Sequence, residues 1–524
     1  MNFLVTSFLC LFSCVVAIGG GILDFRYDLS LDDGIFDRTG SIISGGGDAF
    51  ETHEKNGLNG RKGLQEFHPV SNTIIQGETQ TYSFSVNKSS GVGEYYQFLI
   101  FIAGNICSEP DNLKDGDEGL QLHYGFNSTM FSDLSNGLSV GFHNGYAQAL
   151  AKAPIDDSNS NITILYIAVT APENTNKSAS WSYQVGVSQN DLVFQWDDRS
   201  FASVVDTDDD SALIVTGNLT GSNNVNYSHI NATYSKYSLY VYSYDYKDYF
   251  SSLNSSWCAI RQGPALLSSS KFESSFTNRG GGLKQQFYIP GLNSSSKYWA
   301  YLVFDFDGSE MGGAVFQPFE FETLNESTCE LIYGLEFCDM VAYSVPRSES
   351  LDKKELIKKY DEQASAQYVN FSKAMQQIAC ETTDEAVFSP IRTCADCERS
   401  YKEWLCSVTI PRCSTRNVSG YQYRQVDSSR NTFINDVIKP KAPYYEIMPC
   451  VNVCYAIVKD CPADLKFACP TQNKTIQLSY YWDEDEGFPT CNYVGKPKIA
   501  SSLAIKQFIL NWWLVLFIPV LYIL

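Results

Sequence analysis

The sequence predicts a mixed fold: a β-sandwich-rich N-terminal region followed by a disulfide-stapled, mainly helical cysteine-rich domain. Three observations carry this. Between Ser71 and Thr323, short apolar or alternating runs are separated by turn clusters, the pattern of all-β sandwiches. From Ser348 to Glu381, apolar residues recur at three- to five-residue steps with charges between them, the pattern of an amphipathic helix. Twelve of the sixteen cysteines fall in the last 196 residues.

Met1 to Ile18 is an uncharged apolar run that precedes Gly19-Gly20-Gly21. It reads as a signal peptide over residues 1–19, with Ala17-x-Gly19 as the cleavage site. A retained anchor is the alternative, although the run is short for a span of about 20 residues. Residues 20–70 are Gly-rich and polar without a steady period, and are expected to form a partly ordered arm.

A first sandwich is expected over residues 71–205. Thr81-Tyr-Ser-Phe-Ser-Val86 and Trp181-Ser-Tyr-Gln-Val-Gly-Val187 alternate polar and apolar, whereas Tyr95 to Ala103 and Ile162 to Val169 are near-continuous apolar runs, as in strands buried on both faces. The acidic stretch Asp206-Thr-Asp-Asp-Asp210 marks the expected boundary with a second sandwich over residues 206–327. That half carries Tyr- and Phe-rich runs at Ser238 to Tyr246 and Tyr298 to Phe306. Tyr288 to Tyr298, then Phe316 to Thr323, look like the late strands of a fibronectin-type-III or related sandwich, with Tyr298 at a tyrosine-corner position.

The cysteine-rich domain is expected over residues 328–495, with a spacer and an apolar tail over 496–524. Phe508 to Leu524 has seventeen uncharged residues, short of a full span, and Ala500-Ser501-Ser502 precedes it. A GPI-attachment signal, a retained C-terminal anchor and a helix packed on protein all fit this arrangement. The first two put the protein on a membrane with its bulk outside.

Composition narrows the function. Lys+Arg number 38 against Asp+Glu 59, a net charge of -21, which disfavours a nucleic-acid partner. Thirteen Asn-x-Ser/Thr sequons, at Asn87, Asn127, Asn161, Asn176, Asn218, Asn226, Asn231, Asn254, Asn293, Asn325, Asn370, Asn417 and Asn473, fit a glycosylated ectodomain. In that setting Cys394-x2-Cys397 reads as disulfide chemistry rather than zinc. All five histidines precede residue 230, so the cysteine domain has no internal Cys/His zinc or Cys–His catalytic set. No nucleophile elbow, phosphate loop or dinucleotide fingerprint occurs, and neither an enzyme nor a cofactor is expected. Asp206-x-Asp208-x-Asp210 opens like an EF-hand loop but has Ser211 and Gly217 where the Gly and Glu belong, and reads as a solvated loop.

Fourteen cysteines are expected to pair: Cys107 and Cys258 in the β region, and Cys329, Cys338, Cys380, Cys394, Cys397, Cys406, Cys413, Cys450, Cys454, Cys461, Cys469 and Cys491 after it. Spacing leaves the connectivity open, although Cys107 with Cys258 would bridge the two halves.

The string Cys394-Ala-Asp-Cys397-x3-Tyr401-Lys402-x-Trp404-Leu405-Cys406-x6-Cys413, with Pro449-Cys450-x3-Cys454 and Cys461-Pro462 downstream, resembles the fungal stretch-activated calcium-channel component family. The cysteine domain also looks frizzled-like, and similar to the animal sodium-leak-channel auxiliary subunits. The resemblance implies a glycosylated regulatory subunit of the high-affinity calcium influx channel, placed at the extracellular side of the plasma membrane and also in the endoplasmic reticulum. It implies a four-repeat voltage-gated-type pore protein as partner, with calcium entry during pheromone response, cell-wall stress and secretory stress. Tyr401, Lys402, Trp404 and Arg412 are the expected partner interface, because Trp, Tyr and Arg are enriched at hot spots. A GPI-anchored cell-wall adhesion protein is the alternative, and a secreted glycan-modifying enzyme a more distant one.

Overall fold

The computed structural model describes residues 62–87, 99–110, 119–153, 162–173, 179–219, 237–264, 266–267, 271–306, 311–380, 389, 391–482 and 491–494, all within one compact unit. The expected leader and apolar tail lie outside the described residues.

The first half holds β1 (Lys62–Gly63), β2 (Val70–Ile75), β3 (Thr79–Asn87), β4 (Leu99–Ser108), β5 (Gln121–Gly125), β6 (Leu138–Gly141), β7 (Tyr146–Lys152), β8 (Ile162–Thr170) and β9 (Ser180–Ser188). They form two sheets, β1-β3-β8-β5-β6 and β2-β9-β4-β7. The alternation read from sequence becomes the core between them: Tyr82, Phe84 and Val86 face Trp181, Tyr183, Val185 and Val187. The Tyr82 and Tyr183 hydroxyls meet at 2.6 Å, so each buried O–H has a partner. The arm expected over residues 20–70 ends earlier than that. β1 pairs parallel with β3, Leu64 is buried, and the Glu66 carboxylate accepts from Ser188 Oγ and the Gln189 amide.

The second half holds β10 (Phe194–Asp197), β11 (Ala202–Thr207), β12 (Ser211–Thr216), β13 (Tyr237–Ser243), β14 (Glu273–Thr277), β15 (Lys284–Pro290), β16 (Lys297–Asp305), β17 (Gly313–Phe316) and β18 (Phe319–Glu322). One sheet runs β10-β17-β16-β13 with β18 also on β16; the other runs β11-β12-β15-β14. The boundary expected at Asp206 therefore falls inside a hairpin, because β10 and β11 already pair within this half. The tyrosine-corner contact is present: the Asn293 amide donates to the Tyr298 hydroxyl at 2.8 Å.

The two halves share one core. Helix α1 (Trp257–Gln262), capped by Ser256, packs on the outer face of β4 beside Val193 and Phe194. This explains the near-continuous apolar run at β4: both faces are covered. Cys107–Cys258 and the bond from Ser256 Oγ to the Ile106 carbonyl, 2.7 Å, fasten the contact.

The cysteine region contains β19 (Cys329–Ile332), β20 (Tyr343–Pro346), α2 (Lys353–Met375), α3 (Cys394–Thr409), β21 (Arg412–Ser414), β22 (Gln422–Arg424), β23 (Tyr444–Ile447), α4 (Val451–Asp460) and α5 (Asn473–Ser479). The region is disulfide-stapled as expected, and it mixes strands with its helices. Two small sheets, β19-β20 and β21-β23-β22, accompany the helices. Leu356, Tyr360 and Ala364 of α2 bury against Tyr343 and Val345 of β20, so helix and hairpin complete one core. The α2 helix is shorter than the periodic stretch because Asp352 caps it, accepting from the Glu355 amide at 2.8 Å. Six disulfides staple the region: Cys329–Cys413, Cys338–Cys406, Cys380–Cys394, Cys397–Cys461, Cys450–Cys491 and Cys454–Cys469. Among the described residues no helix is long and apolar enough to cross a membrane.

Candidate partner-binding surface

The residues expected at the interface begin on α3. Thr393 and Asp396 form a reciprocal capping box at its start. Hydrogen bonds from the Thr393 amide and hydroxyl hold the Asp396 carboxyl below its usual range. Three disulfides, at Cys394, Cys397 and Cys406, fix the helix along its length. Tyr401 and Trp404, three apart, share a face with ring centroids 5.5 Å apart.

That face points inward. Tyr401 stacks on Phe371 of α2 at 3.7 Å and 7°, and burial raises its phenol pKa. Trp404 Nε1 donates to the Tyr480 hydroxyl at 2.8 Å. Both aromatic side chains thus join helices within the chain instead of presenting open faces. Lys402 alone of the three reaches outward, paired with Asp339 at 2.8 Å, whose side chain is 59% exposed.

Arg412 departs furthest from expectation. Ile410 and Pro411 are buried, and the Arg412 side chain is 12% exposed. Its Nε donates to Asp206 Oδ2 at 3.0 Å, across 206 residues of sequence. The same carboxylate oxygen accepts from the Ser344 amide, and Ser344 Oγ donates to the Thr207 carbonyl. Next to it, Asp208 is fully buried: Oδ1 accepts from the Asp210 amide, the Ser211 amide and Ser211 Oγ, and Oδ2 accepts from the Leu331 amide. Arg347 bridges Asp209 at 3.0 Å and Glu330 at 2.9 Å. Asp206 to Asp210 is therefore not a solvated loop. It clasps the second sandwich to the cysteine region over a small apolar core of Leu213, Leu331 and Ala342.

Burial raises the carboxyls of Asp209, Asp210 and Glu330, and Arg347 pulls each partly back. Asp208, Asp209 and Asp210 are close enough together to suggest a cation. Yet Asp208 already accepts four hydrogen bonds and Asp209 is paired with Arg347, which fits a structural clasp better than a calcium loop.

Asn127, Asn218, Asn293, Asn325, Asn370, Asn417 and Asn473 are exposed, and Asn254 is half-buried. Asn161, Asn176, Asn226 and Asn231 lie outside the described residues, as does the side chain of Asn87.

The face that sequence reasoning missed is on α4. Tyr455 and Val458, one turn apart, are 42% and 45% exposed, and Trp482 is 38% exposed with its ring 6.3 Å from Tyr455. The adjoining flank of α4, with Cys454 and Ile457, is buried. A signal was available: Val451-Asn-Val-Cys-Tyr-Ala-Ile-Val458 is apolar nearly all round, more than one buried stripe requires.

A family profile described as Mid1, stretch-activated Ca2+-permeable channel component, matches residues 99–497. The chain is 38% identical over 481 residues to the stretch-activated cation channel MID1 of Saccharomyces cerevisiae, covering 83% of this chain and 87% of that protein. It is 33% identical over 385 residues to the stretch-activated cation channel yam8 of Schizosaccharomyces pombe, covering 72% and 76% respectively. Among solved structures, a glycoside hydrolase domain of Endo-D from Streptococcus pneumoniae R6 aligns at 10% identity over 48% of this chain and 32% of that one, with a TM-score of 0.18, too low to carry any relation.

Proposed function

The chain belongs to the Mid1 family of stretch-activated Ca2+-permeable channel components, and from that premise we propose that it is the extracellular auxiliary subunit of a plasma-membrane calcium channel whose pore is a separate four-repeat protein. The family description makes it a membrane-associated calcium-channel component, a non-enzymatic role. The single observation that carries the extracellular placement is the covalent one: fourteen cysteines are paired in seven disulfides, a state that persists in oxidising compartments. The exposed sequons agree with glycosylation during secretion, and the apolar tail supplies attachment to the bilayer.

The role of the cysteine region is docking on the outer loops of the pore protein. Tyr401, Trp404 and Arg412 support that surface from within, by holding α3 and β21 in place. The contact itself is assigned to the solvent-facing Tyr455, Val458 and Trp482, and Lys402, paired with Asp339, offers a separate charged point in the same domain.

Affinity purification from gently solubilised membranes tests this. The expected result is a stoichiometric four-repeat cation channel. Recovery of the protein alone, or linked to wall glucan, sinks the proposal. Tyr455→Asp with Val458→Asp is expected to reduce the recovered channel about tenfold or more while the glycoprotein still reaches the surface. Undiminished recovery would remove this face from the interface and leave the subunit assignment standing.

A further inference from the structure

Two cations are buried together at the tip of the second sandwich. The turn between β14 and β15 reads Asn278-Arg279-Gly280-Gly281-Gly282-Leu283-Lys284. Its three glycines have φ of 78°, 85° and 73°, a region open to glycine without strain. The glycines let the turn fold back on its flanking side chains. Arg279 is 6% exposed and Lys284 7%. Lys284 Nζ donates to the carbonyl oxygens of Arg279, at 3.0 Å, and Gly281. Arg279 Nη2 donates to Gln286 Oε1 at 3.0 Å, and Gln286 is oriented by its own bond to Ser275 Oγ.

No carboxylate of the described residues balances these charges. The acid on the same strand, Glu273, accepts from the Tyr333 hydroxyl instead. Burial alone pulls the Arg279 guanidinium down to about 10, still protonated at neutral pH. Burial also lowers Lys284, and the Arg279 charge lowers it further. In a chain with 59 acidic side chains, two buried cations close enough to repel, with no acid among the described residues paired to either, stand out against the composition. Desolvated like charges are unfavourable unless a counter-charge shares the site.

We propose that Arg279 and Lys284 form a binding site for one small inorganic anion, which supplies the missing counter-charge and fastens the Gly280–Gly282 turn. The guanidinium is a planar fork of five N–H donors, one of which serves Gln286. That fork suits an oxyanion such as sulfate or phosphate, and chloride would satisfy the charge without the directionality.

The test is the apparent melting temperature of the purified full chain in sodium chloride, sulfate or phosphate against sodium gluconate, at fixed pH and ionic strength. An anion bound only by the folded state lowers the unfolded-to-folded ratio about tenfold for each tenfold rise in its concentration above the dissociation constant. The wild type is therefore expected to melt higher in at least one of the three anions than in gluconate, and the anion that acts identifies the ligand. Arg279→Met is expected to melt lower than wild type in that anion and to lose the response. Gln286→Glu places a carboxylate against Arg279, so it is expected to lose the response while melting no lower than wild type. A wild type that melts alike in all four salts overturns the proposal. So does a response that survives in the variants, or an Arg279→Met protein that melts higher, as removal of a merely unpaired buried charge predicts.

Discussion

At the scale of single residues, what a side chain does is decided by what lies opposite it. Arg412 has the chemistry of an interface hot spot, but Asp206 lies 3.0 Å away and both are largely buried. Arg412→Glu would set two carboxylates against each other there, and is expected to destabilise the fold by roughly 3–5 kcal/mol. The reciprocal pair Arg412→Glu with Asp206→Arg should recover part of that loss in a double-mutant cycle read by denaturant unfolding. Glu446 presents the same physics in stronger form. It is fully buried between Arg424 at 2.6 Å and Arg430 at 2.5 Å. Glu446→Gln leaves two cations sharing a neutral partner, with an expected loss of about 3–5 kcal/mol, and a shift of the unfolding midpoint of the purified protein checks it. Neither residue could be ranked from sequence, because a lone Glu in a strand and a lone Arg after a proline look like surface residues until their partners are known.

At the scale of elements, helices and strands were mostly legible, whereas what ties them together was not. The alternation of Tyr82, Phe84 and Val86 named the buried face of β3 correctly, because side chains in a strand alternate between its two faces. The period through Leu356, Tyr360 and Ala364 did the same for α2. Short strands such as β21 and β22, three residues each, carry too few side chains for a period and were absorbed into the expected helical domain. The α3 helix is held by its cap and its bridges in different degrees. Thr393→Ala should cost about 1 kcal/mol. Replacing both Cys397 and Cys461 by Ser opens a loop of 64 residues and should cost about 2–5 kcal/mol, read as a lower melting temperature of the purified protein. A larger loss from the cap than from the bridge would reverse this ranking.

At the scale of the whole molecule, the acidic clasp makes the junction of the second sandwich with the cysteine region sensitive to pH. Asp209, Asp210 and Glu330 have raised pKa values, caused first by burial. A carboxyl whose folded pKa lies above its unfolded one binds more protons when folded, so stability falls as pH rises from the ordinary carboxylate range through the raised values. Mild acidification is therefore expected to tighten this junction. Asp210→Asn, which removes one of the mutually repelling charges beside Asp208 and Asp209, should raise the melting temperature at pH 7 and reduce its rise on acidification. An unchanged pH profile in that variant would show that the junction does not govern the melting transition.

Local pattern and chemistry were enough for the β-rich first part, the long amphipathic helix, the oxidised state of the cysteines and the family resemblance carried by Cys394 to Cys413. Each is written within a few residues, where strand and helix periods and cysteine spacings operate. Which cysteine meets which, the reach of Cys107 to Cys258 across 151 residues, and the closing of both halves on one core come from the folded arrangement alone. The fold also turned Asp206 to Asp210 from an expected solvated loop into a clasp, and drew Tyr401 and Trp404 inside. The physical reason is common to all of these. Periodicity states that a face will be buried or a charge satisfied, but the partner is chosen by packing between segments far apart in the chain, which no local pattern encodes.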